Sequence, residues 1–180
     1  VPCFSSSSLR FAKRTIDIRD DPNLGELVGC DQYTPCPLEP HHGDFFWYGI
    51  HGVEPLFTIM GTGCISVSRT HSAGNDVAVG LWNDGRIGTV RGIRQGRRGY
   101  GSTVFGTKGI VPGGTFDGYE PLIVEIIRFF KSGHPPVREA ETIEIIAFME
   151  AADESKRQGG RPVTLESVMQ RARRSVAQQD

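Results

Sequence analysis

The chain has 180 residues, 38% of them hydrophobic and 23% charged, which is the size and balance of one soluble domain with a real core. Its formal net charge of −1 gives no global field for nucleic acid or an anionic membrane, and no apolar run approaches the ~20 residues of a membrane span. The four cysteines, Cys3, Cys30, Cys36 and Cys64, are too few for a disulfide scaffold and form no Cys-x-x-Cys pair. Free thiols are therefore expected, although Cys30 and Cys36 could meet across a bend.

The chain opens Val1-Pro2-Cys3-Phe4, without an initiator methionine, which reads as processing or as a piece of something longer. No signal peptide stands at this start, so the cytoplasm is the default compartment, with room for a secretion signal further upstream. A strand is expected over residues 26–33, after Asn23-Leu24-Gly25. Pro40-His41-His42-Gly43 reads as a loop. The run from Phe45 to Met60 is long enough for four helical turns. At ~100° per residue, Asp44, Trp47, Tyr48 and Glu54 would fall near the side of His51.

Glycine is abundant between Gly49 and Gly118, and that region reads as strands and tight turns. Residues 63–70 and 76–82 alternate and are rich in β-branched side chains. Asn83-Asp84-Gly85 is a strong hairpin signal, with residues 86–94 as the returning strand. Residues 103–106 and 110–111 form another short pair, turned at Thr107-Lys108-Gly109. These short connections predict an antiparallel meander.

The last third is helical in pattern. A helix is expected around residues 122–130, with Pro121 in its first turn and Gly133 past its end. A second should span 139–157, acidic early and basic late, as the helix dipole favours. Residues 161–164 could add an edge strand, and 165–176 a final polar helix. The predicted class is α+β: an open, largely antiparallel sheet with helices packed on one face. Such a sheet leaves its other face open, so a homo-oligomer is expected through it.

Among candidate sites, His51 stands out, because imidazole is the side chain best suited to moving protons near neutrality. Its plainer reading is a hydrogen-bonded core histidine. His41, His42, Asp44 and His51 could form a metal cluster, but a polar loop explains the histidine pair as well, and no metal site is assigned. The arginines at 86, 91, 94, 97 and 98 lack the interleaved aromatics and basic surplus of an RNA-binding surface and read as a solvated strand face, or as a site for an anionic partner. There is no Gly-x-Ser-x-Gly elbow and no phosphate-cradling glycine motif; Gly61-Thr62-Gly63 lacks both the third glycine and the strand-to-helix context.

Three segments together resemble the C-terminal domain of the Gfo/Idh/MocA oxidoreductases, the glucose-fructose oxidoreductase and inositol dehydrogenase family. Ser5-Ser6-Ser7-Ser8-Leu9-Arg10-Phe11 is similar to the junction after that family's nucleotide domain. Trp47-Tyr48-Gly49-Ile50-His51-Gly52-Val53-Glu54 is similar to its catalytic helix. The stretch from Gly118-Tyr119-Glu120-Pro121-Leu122 through Ala147-Phe148-Met149-Glu150-Ala151-Ala152-Asp153-Glu154-Ser155 is similar to its late helix pair. The resemblance implies an NAD(P)-dependent oxidoreductase acting on a sugar or polyol hydroxyl, with His51 as the catalytic proton carrier and Trp47, Tyr48, Glu54, Asp44 and Arg10 toward the substrate. Trp47 stands where the family often has an aspartate, and Glu54 where an aspartate is common. The family's Rossmann domain and its Glu-Lys-Pro motif would lie before Val1. Residues 1–12 are then the remnant of the last Rossmann strand plus the interdomain junction, and 13–180 the substrate-binding and oligomerisation domain. On this reading the chain alone binds no NAD(P) and is inactive. The alternative is a non-catalytic binding or assembly module of the same fold.

Overall fold

The computed structural model describes residues 2–178. Val1, the first residue of the expected strand remnant, lies outside the described residues, as do Gln179 and Asp180. Residues 2–7 run without regular secondary structure. Ser7 then caps a 3-10 turn over Ser8–Phe11, its hydroxyl accepting from the Leu9 N–H. Helix α1 (Lys13–Asp17) and a second 3-10 turn (Ile18–Asp20) follow. Nothing in the sequence announces these pieces. They are too short for a 3.6-residue period, and Thr15, Ile16 and Ile18 are branched residues that locally disfavour a helix.

Seven strands form one sheet: β1 (Leu27–Pro35), β2 (Cys64–His71), β3 (Asn75–Trp82), β4 (Ile87–Ile93), β5 (Gly101–Gly106), β6 (Ile110–Pro112) and β7 (Val163–Thr164). Their spatial order is β6-β5-β1-β4-β3-β2-β7. The hairpin between β3 and β4 turns at the expected Gly85, whose φ of 87° suits a residue without Cβ. The plain meander is corrected in one place. Strand β1 enters between β4 and β5, parallel to β4 and antiparallel to β5, so the sheet is mixed, while the other pairings are all antiparallel. Short connections specify only sequential neighbours. The long path from β1 to β4, through a helix and the β2–β3 hairpin, supplies the crossover that a parallel pair needs.

Helices cover one face. Helix α2 (Ile50–Met60) lies over β1 and β4, and α4 (Glu139–Arg157) lies over β2. Val53, Leu56, Phe57 and Ile59 of α2 and Ile145, Phe148 and Met149 of α4 meet Cys30, Val67, Ala78, Trp82, Val90 and Val104 of the sheet. Glycine permits this approach: a Cβ on Gly52 would stand 2.8 Å from Thr34 Cγ2 and 2.9 Å from Val90 Cγ1. The Trp82 indole N–H donates to the Gly61 carbonyl at 3.0 Å, which fixes the end of α2 to the sheet. Helix α5 (Leu165–Ala177) packs on α4 and β2, with Thr164 as its N-cap.

Helix α3 (Glu120–Ser132) is different, for it has no buried residue. Ile123, Ile127 and Phe130 stand exposed on it, and Phe129 meets Phe4 edge-on with ring centroids 5.3 Å apart. The uncovered sheet face is mixed: Leu81, Ile87 and Tyr33 are all at least 39% exposed and Val77, Val79 and Ile93 partly exposed, and Asp31, Thr89, Arg91 and Thr103 stand among them.

Candidate functional site

The helix that carries His51 does not begin as an α-helix. Residues Phe45–Gly49 form a π turn, closed by the Ile50 N–H on the Phe45 carbonyl, and regular α2 starts only at Ile50. The wider turn rotates the preceding side chains away from their α-helical positions. Pro55 lies inside α2 and has no N–H to offer the His51 carbonyl four residues earlier.

The segment that precedes α2 is held by charge. Arg69, an inward-pointing side chain of β2 with no exposed surface, bonds Asp44 Oδ2 at 2.7 Å, Asp76 Oδ1 at 2.8 Å and Asp153 Oδ1 at 2.5 Å. Its guanidinium also lies 4.7 Å from the Phe45 ring centroid. Lys156 reaches Asp44 at 2.6 Å, and His71 and Arg94 close on Asp76. Hydrogen bonds and charges from Arg69, Lys156 and Arg94, with a hydrogen bond from His71, hold the Asp44 and Asp76 carboxyls below the ordinary range despite burial. Asp153 goes the other way, pushed up to about 6, because its burial outweighs the attraction of Arg69. Asp44 is therefore committed to this cluster and not to His51.

Trp47 is also turned elsewhere. It is 46% exposed, and its ring centroid lies 5.1 Å from that of His42. His41 and His42 both bond Glu39. The four groups His41, His42, Asp44 and His51 thus do not converge, and no cluster of three or more potential metal ligands occurs among the described residues.

Glu54, three residues after His51 on α2, and Arg10 form a second buried unit. Arg10 Nη1 lies 3.4 Å from Glu54 Oε2 and donates to Thr58 Oγ1 at 3.1 Å, while Nη2 bonds Glu141. Burial pushes the Glu54 carboxyl up to about 7, with Arg10 pulling it back down. Its Oε2 is buried without a hydrogen bond, and no hydrogen bond joins Glu54 to His51 among the described residues. Arg10 and Glu54 therefore tie the 3-10 turn at Ser8–Phe11 to α2.

What does surround His51 is a cavity of about 350 Å³. Ser6, Ser7, Ser8 and Leu9 form one wall, and Tyr48, Tyr100, Phe116, Tyr119 and Leu122 form the others. The aromatic rings make a continuous chain. Centroids are 5.0 Å apart for Tyr48 and His51, 6.3 Å for His51 and Tyr100, 6.4 Å for Tyr100 and Phe116, and 5.2 Å for Phe116 and Tyr119. His51 Nδ1 lies 2.8 Å from Ser7 Oγ, and Nε2 has no hydrogen-bond partner among the described residues. Burial alone pulls the His51 pKa down, so the ring is neutral near pH 7. Burial and the neighbouring Tyr48 push the Tyr100 phenol up, which keeps it protonated and able to donate. No charged side chain lines this cavity among the described residues.

Of the residues expected at the site, His51 and Tyr48 share this cavity, while Arg10, Asp44, Trp47 and Glu54 lie outside its lining. Ser7, Tyr100, Phe116 and Tyr119 carry no motif in the sequence. They meet His51 only because residues 6–9, the loop before β5 and the loop before α3 converge on one end of α2.

No protein-family model and no curated protein sequence matches the chain. Solved structures do match its fold. One is a probable dehydrogenase from Thermotoga maritima, with a TM-score of 0.73 and 21% identity over 88% of this chain and 62% of that one. Another is myo-inositol 2-dehydrogenase from Lactobacillus plantarum, with a TM-score of 0.73 and 16% identity over 89% of this chain and 64% of that one. A third is myo-inositol dehydrogenase from Lactobacillus casei in complex with NAD(H) and myo-inositol, with a TM-score of 0.69 and 12% identity over 87% of this chain and 60% of that one. The chain spans less than two thirds of the length of each. At these identities the likeness is one of fold: an α+β domain built on a seven-stranded open mixed sheet.

Proposed function

We propose that this chain is the C-terminal, substrate-binding half of an NAD(P)-dependent oxidoreductase of the Gfo/Idh/MocA family, acting on a sugar or polyol hydroxyl. The observation that carries this reading is His51, placed at the aromatic cavity with no partner on Nε2 among the described residues, in a fold shared with inositol dehydrogenases. Oxidising an alcohol needs a base on the hydroxyl. His51 Nε2 takes that proton, Tyr48 and Tyr100 offer phenol hydroxyls to the substrate, and the faces of Tyr119 and Phe116 cover the C–H side of a ring.

The residues present do not fit a dinucleotide. Gly61 and Gly63 have positive φ, but they connect a helix to a strand, the reverse of a phosphate-binding turn. A nicotinamide supplies hydride acceptance, and on this reading a Rossmann domain preceding residues 1–12 holds it. The exposed ridge of α3 with Phe4, which adjoins the cavity at Leu122 and Ser6, offers that domain an apolar seat. Residues 13–180 form the domain that binds substrate and assembles. The open sheet face around Leu81, Ile87 and Tyr33 is the surface through which copies associate.

The test is to read the coding sequence ahead of Val1 and express the chain joined to the domain it encodes. Reduction of NAD(P) is then followed with a panel of inositols and sugars. The proposal expects turnover by the joined protein and none by residues 1–180 alone. Turnover by the chain alone, or none from the joined protein across the panel, would overturn it. A second reading, a binding or assembly module without chemistry, is favoured by Trp47, which leaves His51 without the aspartate partner common in the family. It predicts that His51→Ala changes neither ligand affinity nor assembly.

A further inference from the structure

Among the described residues, no carboxylate orients His51. Asp44 is bound to Arg69 and Lys156, and Glu54 to Arg10. Its one polar partner among the described residues is the hydroxyl of Ser7, 2.8 Å from Nδ1. Ser7 is 4% exposed, and its position is fixed from two sides: its hydroxyl accepts the Leu9 N–H at 3.3 Å, and its carbonyl accepts the Ser6 hydroxyl at 3.0 Å.

A neutral imidazole carries one proton, on Nδ1 or on Nε2. If Ser7 donates to Nδ1, the proton sits on Nε2 and the cavity side of the ring cannot act as a base. If Nδ1–H donates to Ser7, Nε2 presents its lone pair to the cavity. The second arrangement survives proton transfer unchanged, because the imidazolium also has an Nδ1–H to give. It needs the second lone pair of Ser7 Oγ, the first being taken by Leu9, and leaves the Ser7 proton free for another acceptor.

We propose that Ser7 is the positioning residue of this site, accepting the Nδ1–H of His51 so that Nε2 is held unprotonated toward the substrate. A hydroxyl sets the ring as a carboxylate would, without a negative charge. His51 therefore stays neutral to lower pH than an aspartate-paired histidine, in keeping with the absence of any neighbouring carboxylate that raises its pKa. This inference rests on the reading of His51 as the proton carrier.

The test needs no turnover. The 180-residue chain is labelled with 15N-histidine, and the tautomer and pKa of His51 are read from long-range 1H–15N spectra across pH. The wild-type neutral ring should be protonated on Nδ1. Ser7→Ala should shift the Nδ1–H to Nε2–H ratio about five-fold toward Nε2–H, the scale of one hydrogen bond. Ser7→Thr should restore the wild-type ratio. Ser7→Asp should keep the Nδ1–H form and raise the pKa by about one unit or more. A wild-type ring protonated on Nε2, or a ratio unmoved in a folded Ser7→Ala chain, would overturn the assignment. The expected tautomer in a protein that proves inactive when joined to its cofactor domain would support Ser7 and count against dehydrogenase function instead.

Discussion

Replacing Arg69 with alanine should cost this fold ~3–5 kcal/mol, the penalty for breaking a buried ion pair by removing one partner. The magnitude follows from the surroundings. Asp76 has no exposed side-chain surface and Asp153 only 9%, so neither can turn to water when the guanidinium is gone. Arg94 and His71 still serve Asp76 and Lys156 still serves Asp44, which keeps the cost from being larger. In urea, with a slope of ~2 kcal/mol/M, the unfolding midpoint should fall by about 2 M, followed by Trp82 fluorescence and circular dichroism. The loss has a pH signature. Without Arg69 the three aspartates repel one another and bind protons more tightly in the native state, so the penalty should be smaller at pH 5 than at pH 8. Asp44→Asn removes the one partially exposed member and should cost less, ~1–2 kcal/mol. A penalty for Arg69→Ala under ~1 kcal/mol, or one independent of pH, would refute the view that Asp44 serves the fold through this cluster.

Three other outcomes are expected. Glu54 has a folded pKa of about 7 against an ordinary 4.5, so the native chain binds its proton more tightly than the unfolded chain does. The stability this contributes is complete below pH ~4.5 and lost as pH rises through about 7, by up to ~3 kcal/mol, and Glu54→Gln should flatten that part of a stability–pH curve. Ile87→Asp, on the open sheet face, should convert an oligomer to monomer in light scattering, whereas a monomeric parent chain would remove the assembly proposal. Tyr100→Phe in the joined protein should weaken substrate use while leaving the His51 tautomer unchanged, which kinetics and the same 15N spectra would check.

The parts of the fold that local physics determines are legible in the sequence. The Asn83-Asp84-Gly85 turn demands a positive φ and sets the β3–β4 register, and α4 spans residues 139–157 because its charge gradient and flanking Gly159-Gly160 leave little choice of ends. The parallel contact of β1 with β4 was not legible, since it joins segments more than 50 residues apart through a crossover. Nor was Arg69, whose place in an alternating strand gives no sign that it points inward to three aspartates. The site divides along the same line. His51 and Tyr48 are only three residues apart, so Tyr48 stays beside the imidazole although it lies in the π turn. Asp44 and Trp47 fall elsewhere because the π turn at Phe45–Gly49 breaks the 100° count. Ser7, Tyr100 and the pair Phe116 and Tyr119 come from three separate segments, and only tertiary packing assembles them around the imidazole.

On the proposed function, His51 Nε2 carries the substrate's proton. The most direct test of that role is the steady-state rate of the protein joined to its cofactor domain, with His51→Ala and His51→Gln beside the parent. The account predicts that kcat falls ~10²–10⁴-fold in both, with KM changed only a few-fold, as for the loss of a general base. A kcat within about three-fold of the parent would contradict it.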